Sequence, residues 1–218
     1  MSNLPPWEKL ESKIASMVEP HEREDFDRRH HKKSTEILRC MFEFLNTMDG
    51  VRTKKQPDAE AIWNANFHVN LVAHDLCAAG YLVFISEDRW ATRLAARTLA
   101  MMLLEACDDI PSLLGKPFKD ACTNLGIMKF IEQDWKESRQ RIANFRTAHE
   151  AKLKRIRDAL TAHKDHDTTA VVAEISRIRW HDYVDLSIKF ESILRFISKM
   201  GMEAVDRANE VYRARGII

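Results

Sequence analysis

One stripe of mostly apolar residues runs from Ile127 to His163: Ile127, Ile131, Trp135, Ser138, Ile142, Phe145, His149, Leu153, Ile156, Leu160 and His163. Spacing of three and four over so many turns specifies one long helix with one buried face. A second stripe predicts a last helix from about His181 to Arg215. It carries Tyr183, Leu186, Phe190, Ile193, Leu194, Ile197, Met200, Ala204, Ala208 and Val211. Only six Gly and six Pro punctuate 218 residues, so helices should be long and breaks few. The expected class is all-α, a helical bundle of about seven helices. Tyr81 to Ile85, after Gly80, has strand-like composition, but a lone strand has nothing to pair with. It reads as helix continuation or a buried connector.

The breaks divide the chain further. Pro5-Pro6 opens a first helix and Pro20 ends it. A second runs from about Glu22 to Met48-Asp49-Gly50, with Gly50 as a left-handed stop and Val51 to Pro57 as a basic loop. A third begins near Asp58. Ser86-Glu87-Asp88 should cap a helix from Trp90 to Cys107 that is apolar nearly all round, hence central. Asp108 and Asp109 would then lie at its negative end, costing about 0.3–1 kcal/mol each unless a cation answers. A basic partner such as Arg157 would answer them; otherwise they bind water or cap the turn at Pro111-Ser112. Pro111 to Asn124 predicts a short helix stopped at Gly126. Asp167 or Thr168 should cap another, Thr169 to Ile178. Residues 1–218 read as a single domain, with N-terminal helices of unassigned role over 1–85 and the main bundle over 86–215.

Charge is balanced, 34 Lys and Arg against 33 Asp and Glu. That excludes a global nucleic-acid signature and leaves local patches as the way to hold an anion. The strongest patch is Lys136 to Arg157, with eight Lys or Arg against Glu137 and Glu150. Cys40, Cys77, Cys107 and Cys122 form no C-x-x-C and read as reduced thiols of a cytoplasmic protein. The opening Met-Ser-Asn-Leu-Pro-Pro-Trp-Glu lacks the basic and apolar regions of a signal peptide. The longest apolar run, Leu76 to Ile85, is short of the roughly 18 residues a membrane span needs, so no membrane partner is expected. His68 and His74 sit on nearly opposite sides of a helix. The cluster His163-Lys164-Asp165-His166-Asp167 has no spacing that fixes metal geometry. No metal and no cofactor are expected.

The chemistry concentrates at Arg157 and His163. Arginine offers a permanent charge and a planar donor fork that suits phosphate oxygens. Histidine moves a proton near neutral pH. A second Arg–His pair, Arg23 and His30, lies in a mixed charge run and reads as a solvated face. On a continuous helix Arg157 and His163 are about 120° apart, so a shared site needs local unwinding or a second chain.

Arg157-Asp158, then His163 followed by Lys164-Asp165, resembles the signature of the HEPN superfamily of all-helical RNase and nucleotide-binding domains, closest to its abortive-infection branch. Ala95 to Cys107, followed by Asp108-Asp109-Ile-Pro-Ser-Leu113-Leu114, is similar to that branch's upstream helix. The resemblance covers roughly residues 90 to 200, and departs from the pattern in having Asp158 where Asn is commoner. It implies a metal-independent endoribonuclease of a defence or toxin–antitoxin system. Arg157 would polarise the scissile phosphate, His163 would act as general base or acid, and Asp158 would orient one of them. Lys152, Lys154, Arg155 and Lys164 would guide RNA, with Asp108 and Asp109 in support. It also implies a homodimer with a paired site in the cleft and an antitoxin protein as partner. The apolar stripes at Ile127–His163 and Tyr183–Val211 are the expected dimer glue. A non-catalytic helical module for nucleic acid or protein, and a purely structural bundle, are the alternatives.

Overall fold

A computed structural model describes residues 20–86, 88–161 and 168–217. In chain order these form α1 (Pro20–Thr53), α2 (Pro57–Ile85), α3 (Arg89–Leu113), α4 (Lys116–Asn124), α5 (Met128–Thr161), α6 (Thr168–Ser176) and α7 (Trp180–Ala214). The all-α class therefore holds. The expected bundle of about seven becomes five long helices, with α4 and α6 as nine-residue connectors. The helix expected from Pro5 lies outside the described residues.

The central helix is α2, which packs against α1, α3, α4 and α7. Pro57 sits in its first turn, where the missing N–H costs nothing, and Asp58 and Glu60 favour its positive end. The helix continues through Gly80 to Ile85, as expected for Tyr81–Ile85. By length and composition it is also the one helix among the described residues apolar enough to cross a membrane. Its Asn66 is buried, and His68, Asn70 and His74 are half-buried against its neighbours.

Gly201 of α7 packs directly on Asn66, and a Cβ there would lie 2.7 Å from Asn66 Oδ1. The glycine is what lets α2 and α7 approach so closely. The α7 stripe is buried from Tyr183 to Ala208. That of α5 is buried at Ile127, Ile131, Ser138, Ile142, Phe145, Leu153 and Ile156. Over the described residues both stripes are thus largely covered within one chain, which leaves them little surface for a second copy. Phe145 and Phe190 meet with ring centroids 4.8 Å apart.

Two helix ends differ from expectation. Gly50 does not stop α1, which runs on to Thr53 and buries Val51; the left-handed residue is Lys55, at φ 51°. Nor does α3 stop at Cys107. It is capped by Asp88, whose side chain accepts the Ala91 N–H at 2.7 Å, and it passes through Pro111 to Leu113. Asp108 and Asp109 therefore lie inside the helix rather than at its end. The cation that answers Asp108 is Arg146, at 2.5 Å, not Arg157.

Candidate nucleic-acid interface

The register of α3 against α5 locates the Arg157 segment. The two helices run antiparallel, tied by the Asp108–Arg146 ion pair and by Trp135, whose Nε1 donates to the Leu114 carbonyl at 2.7 Å. Each residue advances a helix by about 1.5 Å. Counted from the Asp108–Arg146 pair, Arg97 falls level with Arg157; counted from Leu114–Trp135, it falls level with Lys152. Arg97 therefore lies across from the turns of α5 that run from Lys152 to Arg157, and Arg93 lies one turn further toward the same end. Arg93 and Arg97 share a stripe with Ala100, Leu104 and Cys107, spaced by four and three, all buried. Cys107 lines an open cleft with Ile142 and Arg146 of α5, which assigns that stripe to the face toward α5.

The other helix ends gather at the same pole. Lys152 of α5 donates to Asp182 of α7 at 2.8 Å, and Phe84 of α2 meets Trp180 at 5.9 Å. The C-termini of α2 and α5 therefore stand beside the N-termini of α3 and α7. Among the described residues this pole holds seven arginines. Arg93 and Arg97 are buried, while Arg89, Arg155, Arg157, Arg177 and Arg179 are exposed. Asp88, the α3 cap, and Asp182 are carboxylates of the same region.

Arg97 is only 6% exposed, and its Nε has no hydrogen-bond partner among the described residues. Burial pulls its pKa below the ordinary arginine value, but a guanidinium remains charged at neutral pH. A buried cation with an unanswered donor is costly unless something anionic completes it.

His181 is a second half-buried group here. Its Nε2 accepts from Arg179 Nε at 3.2 Å and lies 3.4 Å from Asp182 Oδ1. Its Nδ1 is buried without a hydrogen-bond partner among the described residues. Burial lowers its pKa; Arg179 and Lys152 add to that, against Asp182. Burial by itself would raise the Asp182 carboxyl, but the hydrogen bond and charge of Lys152, with Arg179 and His181, hold it below the usual range.

Of the residues expected to act, Arg157 is exposed on the solvent side of α5. The Asp158 side chain, His163, Lys164 and the remainder of the His163–Asp167 cluster lie outside the described residues. Asp108 and Asp109 are exposed, and Asp108 belongs to the Arg146 pair. The basic run on α5 is largely answered by carboxylates. Lys136 pairs with Glu132 at 2.6 Å, Arg141 with Glu137 at 2.5 Å, Arg146 and Lys154 with Glu150 at 3.2 and 2.9 Å, and Lys152 with Asp182. Such surface pairs are weak and exchange readily for another anion. Among the described residues no group of three His, Cys, Asp or Glu is arranged to hold a metal.

Arg93, Arg97 and the His181–Asp182 pair were not picked out from the sequence. The available signal was two arginines four apart inside an otherwise apolar helix. No protein-family model matches the chain, and neither a curated protein nor a solved structure does. The functional reading rests on this geometry together with the HEPN resemblance.

Proposed function

We propose that this chain is a metal-independent endoribonuclease of HEPN type, cytoplasmic, serving in defence or a toxin–antitoxin pair with an antitoxin protein as partner. The observation that supports it most is the buried Arg97 across from the Lys152–Arg157 turns of α5, at an arginine-rich pole. Arg157 would hold and polarise the scissile phosphate, with the buried Arg97 adding positive charge from the α3 side. His163 would take the proton of the ribose 2′-hydroxyl or give one to the leaving oxygen, with Asp158 orienting the pair. Lys152, Lys154, Arg155 and Lys164 would exchange their carboxylate partners for RNA phosphates.

The paired site calls for a homodimer joined across this pole. The buried α5 and α7 stripes leave other apolar groups for the contact. Trp90 and Leu94 are 48% and 52% exposed on α3, within a turn of Arg93. An isologous contact would set each chain's Arg157 segment against its mate's.

Binding can be tested with labelled single-stranded RNA by anisotropy over a salt series. Affinity should fall steeply with salt as phosphates release counterions. Replacing Arg155 and Arg157 by Ala should flatten the slope, and an unchanged slope removes the pole from RNA contact. One observation favours a second reading, a non-catalytic binding module: most of the α5 cations already have carboxylate partners. RNA or protein binding without cleavage would select it.

A further inference from the structure

Beside the arginine pole, on its α1 side, α1, α2 and α7 enclose a cavity of about 280 Å³. Leu76, Phe84, Val184 and Ile188 give it apolar walls. On its α1 side stand Cys77 and His30, with Sγ 3.6 Å from Nδ1, within hydrogen-bond reach for sulfur. The imidazole is held in place: it stacks flat on Tyr81, with centroids 3.9 Å apart and planes 3° from parallel. The Tyr81 hydroxyl in turn donates to the Asp27 carboxylate. His30 therefore keeps one edge toward the sulfur.

The four cysteines are not equivalent. Cys107 and Cys122 are buried, and burial pushes both thiols up to about 12, which leaves them without useful thiolate. Among the described residues Cys77 is the cysteine with an imidazole in reach, and it is the one that lines this cavity. A thiol beside a base, at an apolar pocket, is the arrangement of a reactive nucleophile rather than an inert core cysteine.

We propose that Cys77 is a covalent modification site for apolar α,β-unsaturated carbonyl compounds, with His30 as its base. His30 Nδ1 takes the thiol proton as sulfur forms a bond to the β-carbon. The carbon–carbon π bond breaks, and its electron pair passes toward the carbonyl as an enolate. The proton returns from the imidazolium to the α-carbon. The product is a thioether, with no net oxidation and no leaving group. The cavity admits the apolar body of the electrophile, which sets the preference among such compounds.

The experiment treats native protein at pH 7.5 with one equivalent of N-phenylmaleimide and, separately, with small polar iodoacetamide. Each adduct is located by intact-mass and peptide mass spectrometry. Cys77 should take the phenylmaleimide first. His30→Phe keeps a stacked ring but removes the base, and should slow that reaction about tenfold, the order by which a neighbouring base raises the reactivity of a thiol. Ile188, 60% exposed beside the cavity, gives a variant that leaves the core alone. Ile188→Arg should slow phenylmaleimide and leave the iodoacetamide rate unchanged. Labelling of Cys40 as fast as Cys77, or an unslowed folded His30→Phe protein, overturns the proposal. So does an unchanged phenylmaleimide rate in Ile188→Arg, which decides the matter if His30→Phe fails to fold.

Discussion

Asp108 of α3 and Arg146 of α5 form an ion pair at 2.5 Å, and the antiparallel packing around it sets Arg97 across from the turns of α5 that carry Lys152 and Arg157. A carboxylate expected to await Arg157 instead marks the point from which the pole is measured. The consequence is an arginine pair drawn from two helices: one member buried, the other exposed.

Arg97 is the member that stability does not explain. Its guanidinium is buried with Nε unanswered, so an apolar residue of similar length should fit as well or better. Arg97→Met should unfold in urea within about 1 kcal/mol of wild type or above it. RNA affinity should fall by about 1–2 kcal/mol, the scale of one charge acting across roughly 10 Å at a protein surface. A variant that unfolds while RNA binding by the remaining folded fraction is unchanged assigns Arg97 to structure alone.

Burial holds His149 and His181 below the ordinary histidine value of 6.5. As pH falls, the unfolded chain therefore binds protons before the folded one. Their contribution is fully present above about 6.5 and declines as pH drops below it, toward the lower folded values. The urea midpoint should be lower at pH 5.5 than at 7.5, and His149→Gln should reduce the difference. A midpoint that rises on acidification contradicts this assignment.

The fold class and the two longest stripes were legible because a 3.6-residue period reports a buried face directly. The Ile127 to Ile156 stripe is buried except at Trp135 and His149, which are half-buried, and that from Tyr183 to Ala208 is buried throughout. Helix ends were less legible. Gly50 carries no strain in a helix, and α1 continues past it because Val51 still reaches the core. Pro111 cannot donate to the Cys107 carbonyl, a mark of a helix break, yet α3 runs through it to Leu113. Periodicity also says that a face is buried without saying by what. The α5 and α7 stripes face other helices of the same chain rather than a second copy. Arg93 and Arg97 were hidden among apolar neighbours, and only the antiparallel register of α3 and α5 connects them with Arg157. Tyr81, His30 and Cys77 are far apart in the chain, and no local spacing signals their meeting.

The α2–α7 contact depends on Gly201. Alanine there places a Cβ 2.7 Å from Asn66 Oδ1, inside a buried contact. Overpacking costs about 1–3 kcal/mol, against a gain of roughly 1 kcal/mol from better helix propensity. Gly201→Ala should therefore be neutral to destabilising, with a lower melting temperature as the expected result. A clear rise in melting temperature contradicts the packing account.

Cleavage of single-stranded RNA in excess EDTA tests the central claim most directly, using wild type, Arg157→Ala and His163→Ala in parallel. Wild type should cleave without added metal. Each variant should lose on the order of a hundredfold or more, the scale of a removed acid–base or phosphate-polarising group, while keeping its helical circular dichroism. Wild-type protein that leaves RNA intact, or that cleaves only when Mg²⁺ or Mn²⁺ is restored, contradicts the account.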